Sequence, residues 1–195
     1  MPPLSEDKSN GYDALAETFM RTRNPTIGPA TVLEWAETLT PGSAILELGC
    51  GHGVISQALI GAGFAVYGID ASPRLIAAFR ERFPGHPAEC APVEDATFFR
   101  RTFDAIIAWG LLFLLPLPVQ KTVIGKVARG LNPGGRFLFT SPRDPHTWND
   151  GLTGLESISP GLEAYEQMLH AEGLIRTGEA FDEGENCYHF VSKPG

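Results

Sequence analysis

Three glycines and two carboxylates carry the clearest chemical signal. Residues 45–56 read ILELGCGHGVIS. An apolar run ends there in Gly49-Cys50-Gly51-His52-Gly53, and a helical pattern starts at Val54. Glycines in such a bend turn the backbone tightly and let a ligand lie against the main chain, where a Cβ would block it. The N–H groups that open the following helix lack partners within it and can face a polar ligand. Seventeen residues beyond Gly53, at the end of VYGID, stands Asp70. A carboxylate at a strand tip beside a glycine bend can accept two hydrogen bonds from a ribose diol. A glycine cluster alone is often only a tight turn, and Asp70 alone could cap a helix starting at Ser72-Pro73. Their joint occurrence, in this order, favours a nucleoside-containing ligand at the carboxyl ends of two neighbouring strands.

The bend is not a dinucleotide fingerprint. GxGxxG/A counted from Gly49 ends at Val54, and counted from Gly51 it ends at Ser56. The pattern present is GxGxG, preceded by Glu47. A nicotinamide-dependent oxidoreductase is therefore the weaker reading.

The elements around these residues alternate. Helical spacing of apolar residues covers 12–22 and 29–39. Apolar runs suited to buried strands lie at 44–48, 64–69, 103–109 and 136–140, separated by helical patterns at 54–62, 73–83 and 119–131. Asn132-Pro133-Gly134-Gly135 reads as a turn. This β-α-β-α-β-α-β order predicts an α/β fold with a parallel sheet covered on both faces. Residues 159–172 read as a further helix, and 174–181 with 187–192 as an antiparallel hairpin at the sheet edge. Residues 1–10 are expected to be a mobile tail, and 141–158 an irregular segment over the site, with the whole chain one domain.

Composition removes several classes. Fifteen Lys and Arg against 23 Asp and Glu leave a net charge of −8, so a phosphate backbone or an anionic membrane surface is an unfavourable partner. Three cysteines without a CxxC suit a reducing, cytoplasmic setting and suggest no metal centre.

ELGCGHG, then GIDAS, then VED at Val93-Glu94-Asp95, then FDAIIAWGLL and LNPGGRFLF, resemble in order and spacing the class I S-adenosylmethionine-dependent methyltransferases. The likeness covers roughly residues 44–140. It implies a Rossmann-like three-layer sandwich whose seven-stranded sheet is parallel except for its antiparallel edge. It also implies S-adenosylmethionine (SAM) as methyl donor and S-adenosylhomocysteine (SAH) as product. Gly49, Cys50 and Gly51 would approach the methionine and ribose parts through their backbones, with Glu47 holding the loop. Asp70 would bind the ribose, Ala71, Val93, Glu94 and Asp95 would flank the adenine, and Ala108 and Trp109 would face the sulfonium. The Asp that often precedes the VED stretch in that family is replaced near Pro92 here.

The resemblance does not name the acceptor. The Ala-Trp-Gly-Leu that follows Ile107 departs from the [DN]PP[YF] sequence of amino-methylating nucleic-acid and protein enzymes. Small size and acidity favour a small-molecule acceptor. Its expected contacts are Tyr12, Arg23, Trp109, Arg143, His146 and Trp148. No acid–base residue is required when the acceptor is already nucleophilic, so no triad is expected, and a cofactor-binding protein without transferase activity is the other reading.

Overall fold

The central strands form along apolar-rich runs. The computed structural model describes residues 7–195. In chain order the elements are α1 (Ala16–Thr22), α2 (Pro29–Ala36), β1 (Ala44–Leu48), α3 (Val54–Gly61), β2 (Ala65–Asp70), α4 (Pro73–Arg82), β3 (Ala88–Cys90), β4 (Phe103–Ala108), α5 (Leu117–Gly130), β5 (Leu131–Thr140), β6 (His146–Asn149), β7 (Glu156–Ser159), α6 (Leu162–Ala171), β8 (Ile175–Phe181) and β9 (Cys187–Ser192). Seven strands form one sheet in the order β3-β2-β1-β4-β5-β9-β8. The first five are parallel, and β9 lies antiparallel between β5 and β8. This is the Rossmann-like α/β sandwich with an antiparallel edge hairpin.

Alternation along β4 explains the layers. Ile106 and Ala108 pack with Val123, Ile124 and Val127 of α5 and with Tyr165 and Leu169 of α6. Ala105 and Ile107 point the other way, onto Val32 and Trp35 of α2 and Ile55 and Leu59 of α3. Burying each such aliphatic side chain contributes ~1.5–3 kcal/mol, so this double coverage is what makes β4 a central strand. The strand order reverses between β1 and β4. In open α/β sheets a crevice forms at such a switch point, beyond the carboxyl ends of the strands.

Several local expectations change. The helix expected from residue 12 starts at Ala16, because Asn10 and Gly11 are left-handed (φ 53° and 82°) and residues 8–15 run in turns. The expected tail falls partly outside the described residues. Within them, Asp7 accepts from the N–H groups of Ser9 (2.9 Å) and Gly11 (3.0 Å), and Ser9 is buried, so 7–10 pack as a folded segment. β3 was not anticipated; its Ala-Glu-Cys carries no apolar pattern. The Asn132–Gly135 turn lies inside β5, where the register jumps from Phe103–Leu131 to Ala105–Arg136. The segment expected to be irregular holds a separate antiparallel pair, β6 with β7, whose register runs from His146–Ser159 to Asn149–Glu156. The helix expected from residue 159 therefore begins only at Leu162.

Candidate active site

The bend after β1 is tied to β2 by backbone bonds. The N–H groups of Gly49 and Cys50 both donate to the Ile69 carbonyl, at 2.8 and 3.0 Å. Gly53, with φ 87°, opens α3, and a Cβ there would stand 2.4 Å from the Phe83 ring. Position 53 is therefore closed to any other residue on both backbone and packing grounds. Cys50 is buried, with its sulfur so close over Gly68 that a Cβ on Gly68 would lie 2.7 Å from it, and burial pushes its thiol pKa up. It is a packing residue.

Asp70 joins the two loops. Its Oδ2 accepts the Gly51 N–H and its Oδ1 the Ser72 N–H, each at 2.8 Å. Burial raises its pKa, against the opposing effect of those two bonds. A carboxylate has roughly four acceptor positions, so a diol can still be accommodated. The cap of α4 is Ser72, whose Oγ accepts the Leu75 N–H at 3.1 Å.

A cavity opens above these groups. Its lining draws on the glycine bend, on the ends of β2 and β4, on an apolar wall at Leu111–Leu115, and on residues 8–23. Asp13 pins that N-terminal segment in place: its Oδ1 accepts from Ser72 Oγ at 2.6 Å and from the Arg74 N–H at 3.0 Å. Tyr12 donates to Asp150 Oδ2 at 3.1 Å. Arg23 is half-buried over the Trp109 ring, 4.2 Å from its centroid, and donates to the carbonyls of Asn24 and of Ile27 (2.8 Å). Trp109 Nε1 donates to Tyr188 (2.7 Å), which donates to Asp182 (2.6 Å), so the acidic turn after β8 is wired to the cavity wall. Glu47, 3% exposed, accepts from Ser56 Oγ, and burial lifts its pKa to about 8. His52 is held neutral, its pKa pushed down to about 4 by burial and then by Arg82 and Arg23.

Most of the expected residues meet here. Glu47, Gly49, Cys50, Gly51, Asp70, Ala71, Val93, Glu94, Trp109, Tyr12 and Arg23 all line the cavity. Ala108 is fully buried beneath it and Asp95 is exposed beside it, so neither forms part of the lining. His146, Trp148 and Arg143 also stand outside the lining. His146 stacks on Trp148, Trp148 leans on Phe113 from outside, and Arg143 pairs with Glu179 at 3.0 Å. Residues the pattern did not single out are Lys8, Asn10, Phe19, Asp150 and Asn186. Only Asp150 carried a usable signal, the Asn-Asp-Gly turn sequence. Elsewhere, Glu179, Cys187 and His189 bring ligand-type atoms within 4.8 Å of one another, but Glu179 is already engaged by Arg143 and Arg176.

Lys126 organises one wall from behind. Its ammonium donates to the carbonyls of Val93 (2.8 Å), Glu94 (2.9 Å) and Ala96 (2.7 Å). Lys126→Met leaves three carbonyls without that donor. With each such bond to a charged group worth about 1.5–3 kcal/mol, amide exchange at Asp95 and Ala96 is expected to speed by at least about tenfold. Unchanged exchange there would mean the loop holds itself.

Comparison with known proteins agrees with this geometry. Residues 45–135 match a family described as a methyltransferase domain. The chain is 31% identical over 156 residues to a ubiquinone biosynthesis O-methyltransferase of Thiobacillus denitrificans, covering 74% of this chain and 66% of that one. It is 32% identical over 157 residues to the protein of that name from Xanthomonas campestris pv. campestris, covering 74% and 65%. The chain thus spans just under two thirds of the length of these relatives. Among solved structures, magnesium protoporphyrin IX methyltransferase from Synechocystis with bound SAH superposes with a TM-score of 0.76 at 14% identity, over 95% of this chain and 97% of that one. The CcbJ methyltransferase from Streptomyces caelestis gives 0.74 at 16% identity, over 97% and 100%. At such identities the likeness concerns the fold.

Proposed function

We propose that this chain, a member of the class I S-adenosylmethionine-dependent methyltransferases, binds SAM in the cavity above the glycine bend and transfers its methyl group to a small-molecule acceptor. The observation that carries this reading is Asp70, which holds the glycine bend through Gly51 and keeps acceptor capacity at the end of β2. The lining suits the ligand in two further ways. Asn10 Nδ2 and His52 Nδ1 are buried at the cavity without a protein partner among the described residues. Such atoms are costly unless a ligand or water completes them. The cavity also offers both charges that an amino-acid end needs: the Glu47 carboxyl for the ammonium and the Arg23 guanidinium for the carboxylate.

On this reading Asp70 takes the ribose hydroxyls, and Ala71, Val93 and Glu94 border the adenine. Gly49 and Gly51 let the methionine portion lie against the main chain. When bound, SAM supplies a methyl group on a sulfonium, whose leaving group is a neutral thioether. The protein's part is then to align and to exclude water, and orientation of this kind is worth up to ~7–11 kcal/mol of a barrier. Trp109 and the Leu111–Leu115 wall supply the dry face, and the segment from Lys8 to Arg23 covers the opening. Among the described residues no helix is long and apolar enough to cross a membrane.

The test is calorimetry followed by turnover. SAH is expected to bind one to one, and methyl-labelled SAM with a metabolite pool is expected to yield a labelled small molecule. Tight binding of NADH with none of SAH would overturn the assignment. Binding of SAH without any labelled product would reduce it to a binding function.

A further inference from the structure

Arg23 lines the cavity as a half-buried cation that, among the described residues, forms no ion pair. Two of its five N–H donors go to the Asn24 and Ile27 carbonyls, which leaves three for a ligand. A cation partly withdrawn from water is costly unless an anion completes it.

The guanidinium is held by a chain of contacts that begins outside the cavity, in the turn after β8. That turn fixes Asp182, whose Oδ1 accepts the N–H groups of Gly184 (2.9 Å) and Asn186 (3.0 Å). Asp182 Oδ2 accepts the Tyr188 hydroxyl at 2.6 Å, and the Tyr188 oxygen accepts Trp109 Nε1–H at 2.7 Å. The Trp109 ring then carries Arg23, 4.2 Å from its centroid. Each link strengthens the next. The carboxylate polarises the phenol oxygen, that oxygen polarises the indole, and a more electron-rich ring holds the cation more firmly. Gly28 packs so closely on the indole that a Cβ there would stand 3.0 Å from Trp109 Nε1. The ring therefore has little freedom to shift. A guanidinium fixed flat on a ring keeps its N–H edge in one direction, which suits two-point recognition of a carboxylate.

We propose that Tyr188 and Asp182 are positioning residues that act through Trp109 to aim Arg23 at the carboxylate of the methionine end of SAM. The inference rests on the SAM reading above and deepens it. The antiparallel edge hairpin, remote in sequence from the glycine bend, then helps to separate adenosyl ligands that carry a carboxylate from those that lack one.

Two ligands test it by calorimetry: SAH, and S-adenosyl-3-thiopropylamine, which is SAH without its carboxylate. Wild type is expected to prefer SAH by more than about tenfold, the scale of a hydrogen bond between charged groups. Tyr188→Phe deletes only the hydroxyl. It is expected to weaken SAH by about three- to tenfold, the scale of one neutral hydrogen bond, and to leave the amine within about twofold of wild type. In an Arg23→Met background, Tyr188→Phe is expected to change SAH affinity by less than about twofold, because the residue it acts through is gone. Asp182→Asn breaks the far end of the chain at a half-buried position and repeats the test should Tyr188→Phe not fold; its loss is expected to be confined to SAH in the same way. The proposal is overturned if either folded variant weakens both ligands equally, which is the mark of a merely structural role, or weakens neither. It is equally overturned if wild type binds the two ligands alike, or if the Tyr188→Phe effect persists undiminished beside Met at position 23. Failure of wild type to bind SAH at all instead removes the SAM reading itself.

Discussion

Asp70→Ala is expected to abolish measurable SAH binding while leaving the protein folded. The substitution removes two things at once. One is the acceptor for a ribose diol, two hydrogen bonds to a charged group at about 1.5–3 kcal/mol each. The other is the link from β2 to Gly51, at 2.8 Å, which holds the glycine bend in its ligand-facing shape. Together these amount to a loss on the order of 10²–10⁴-fold in affinity. Stability is expected to move little, because two effects oppose. The Gly51 and Ser72 N–H groups lose their acceptor. At the same time a buried carboxylate, whose pKa burial raises, no longer has to be ionised in the folded protein at neutral pH. Asp70→Asn keeps one carbonyl acceptor and should fall between. Calorimetry measures the affinities and thermal denaturation the folds. Asp70→Ala binding SAH within threefold of wild type would remove the central contact of the proposed site.

The sheet and the floor of the site were legible because each rests on a local rule. Apolar-rich runs such as AILEL and FDAIIA, each with a single acidic residue, fit best as doubly covered parallel strands. A glycine bend after one and a carboxylate after the next fix the ligand side. The roof was not legible, because its contacts depend on meetings between distant parts of the chain. Asp13 reaches Ser72 across 59 positions and Tyr12 reaches Asp150 across 138. No spacing rule in the sequence connects such pairs. Trp148 and His146 drew notice as aromatic and titratable residues in a long connection. Pairing of β6 with β7 stacks them on each other outside the cavity, and the polar turn between the two strands brings Asp150 inward instead. The residue type that suggested contact is not the one that lines the cavity. β3 illustrates a different limit. Three residues without an apolar pattern become a strand only because the β2 edge is there to pair with them.

Glu47 is expected to make the protein's stability and its SAH affinity respond to pH in opposite directions. Its carboxyl is 3% exposed, and burial raises its pKa from 4.5 to about 8. In the unfolded chain the proton leaves near the ordinary value. Between the two, the folded state binds more protons than the unfolded one, so stability falls as pH rises through that window, by at most about 1.4 kcal/mol per unit. Above pH 8 this contribution levels off. Glu47→Gln removes the ionisation and preserves an oxygen for the Ser56 hydroxyl. Chemical denaturation is expected to find the variant close to wild type at pH 5 and more stable by on the order of 3–5 kcal/mol at pH 9. Binding runs the other way. The ammonium of SAH favours ionised Glu47, so below pH 8 its arrival expels a proton and wild-type affinity rises with pH, by up to about tenfold per unit. In Glu47→Gln that rise should vanish, and affinity at pH 8 should fall below wild type. Stability and affinity curves for the two proteins that stay parallel from pH 5 to 9 would show that Glu47 neither holds its proton in the fold nor meets the ligand's charge. A residue that costs the fold stability at neutral pH and strengthens ligand binding there is one placed for the ligand, which is why both curves must be measured on the same variant.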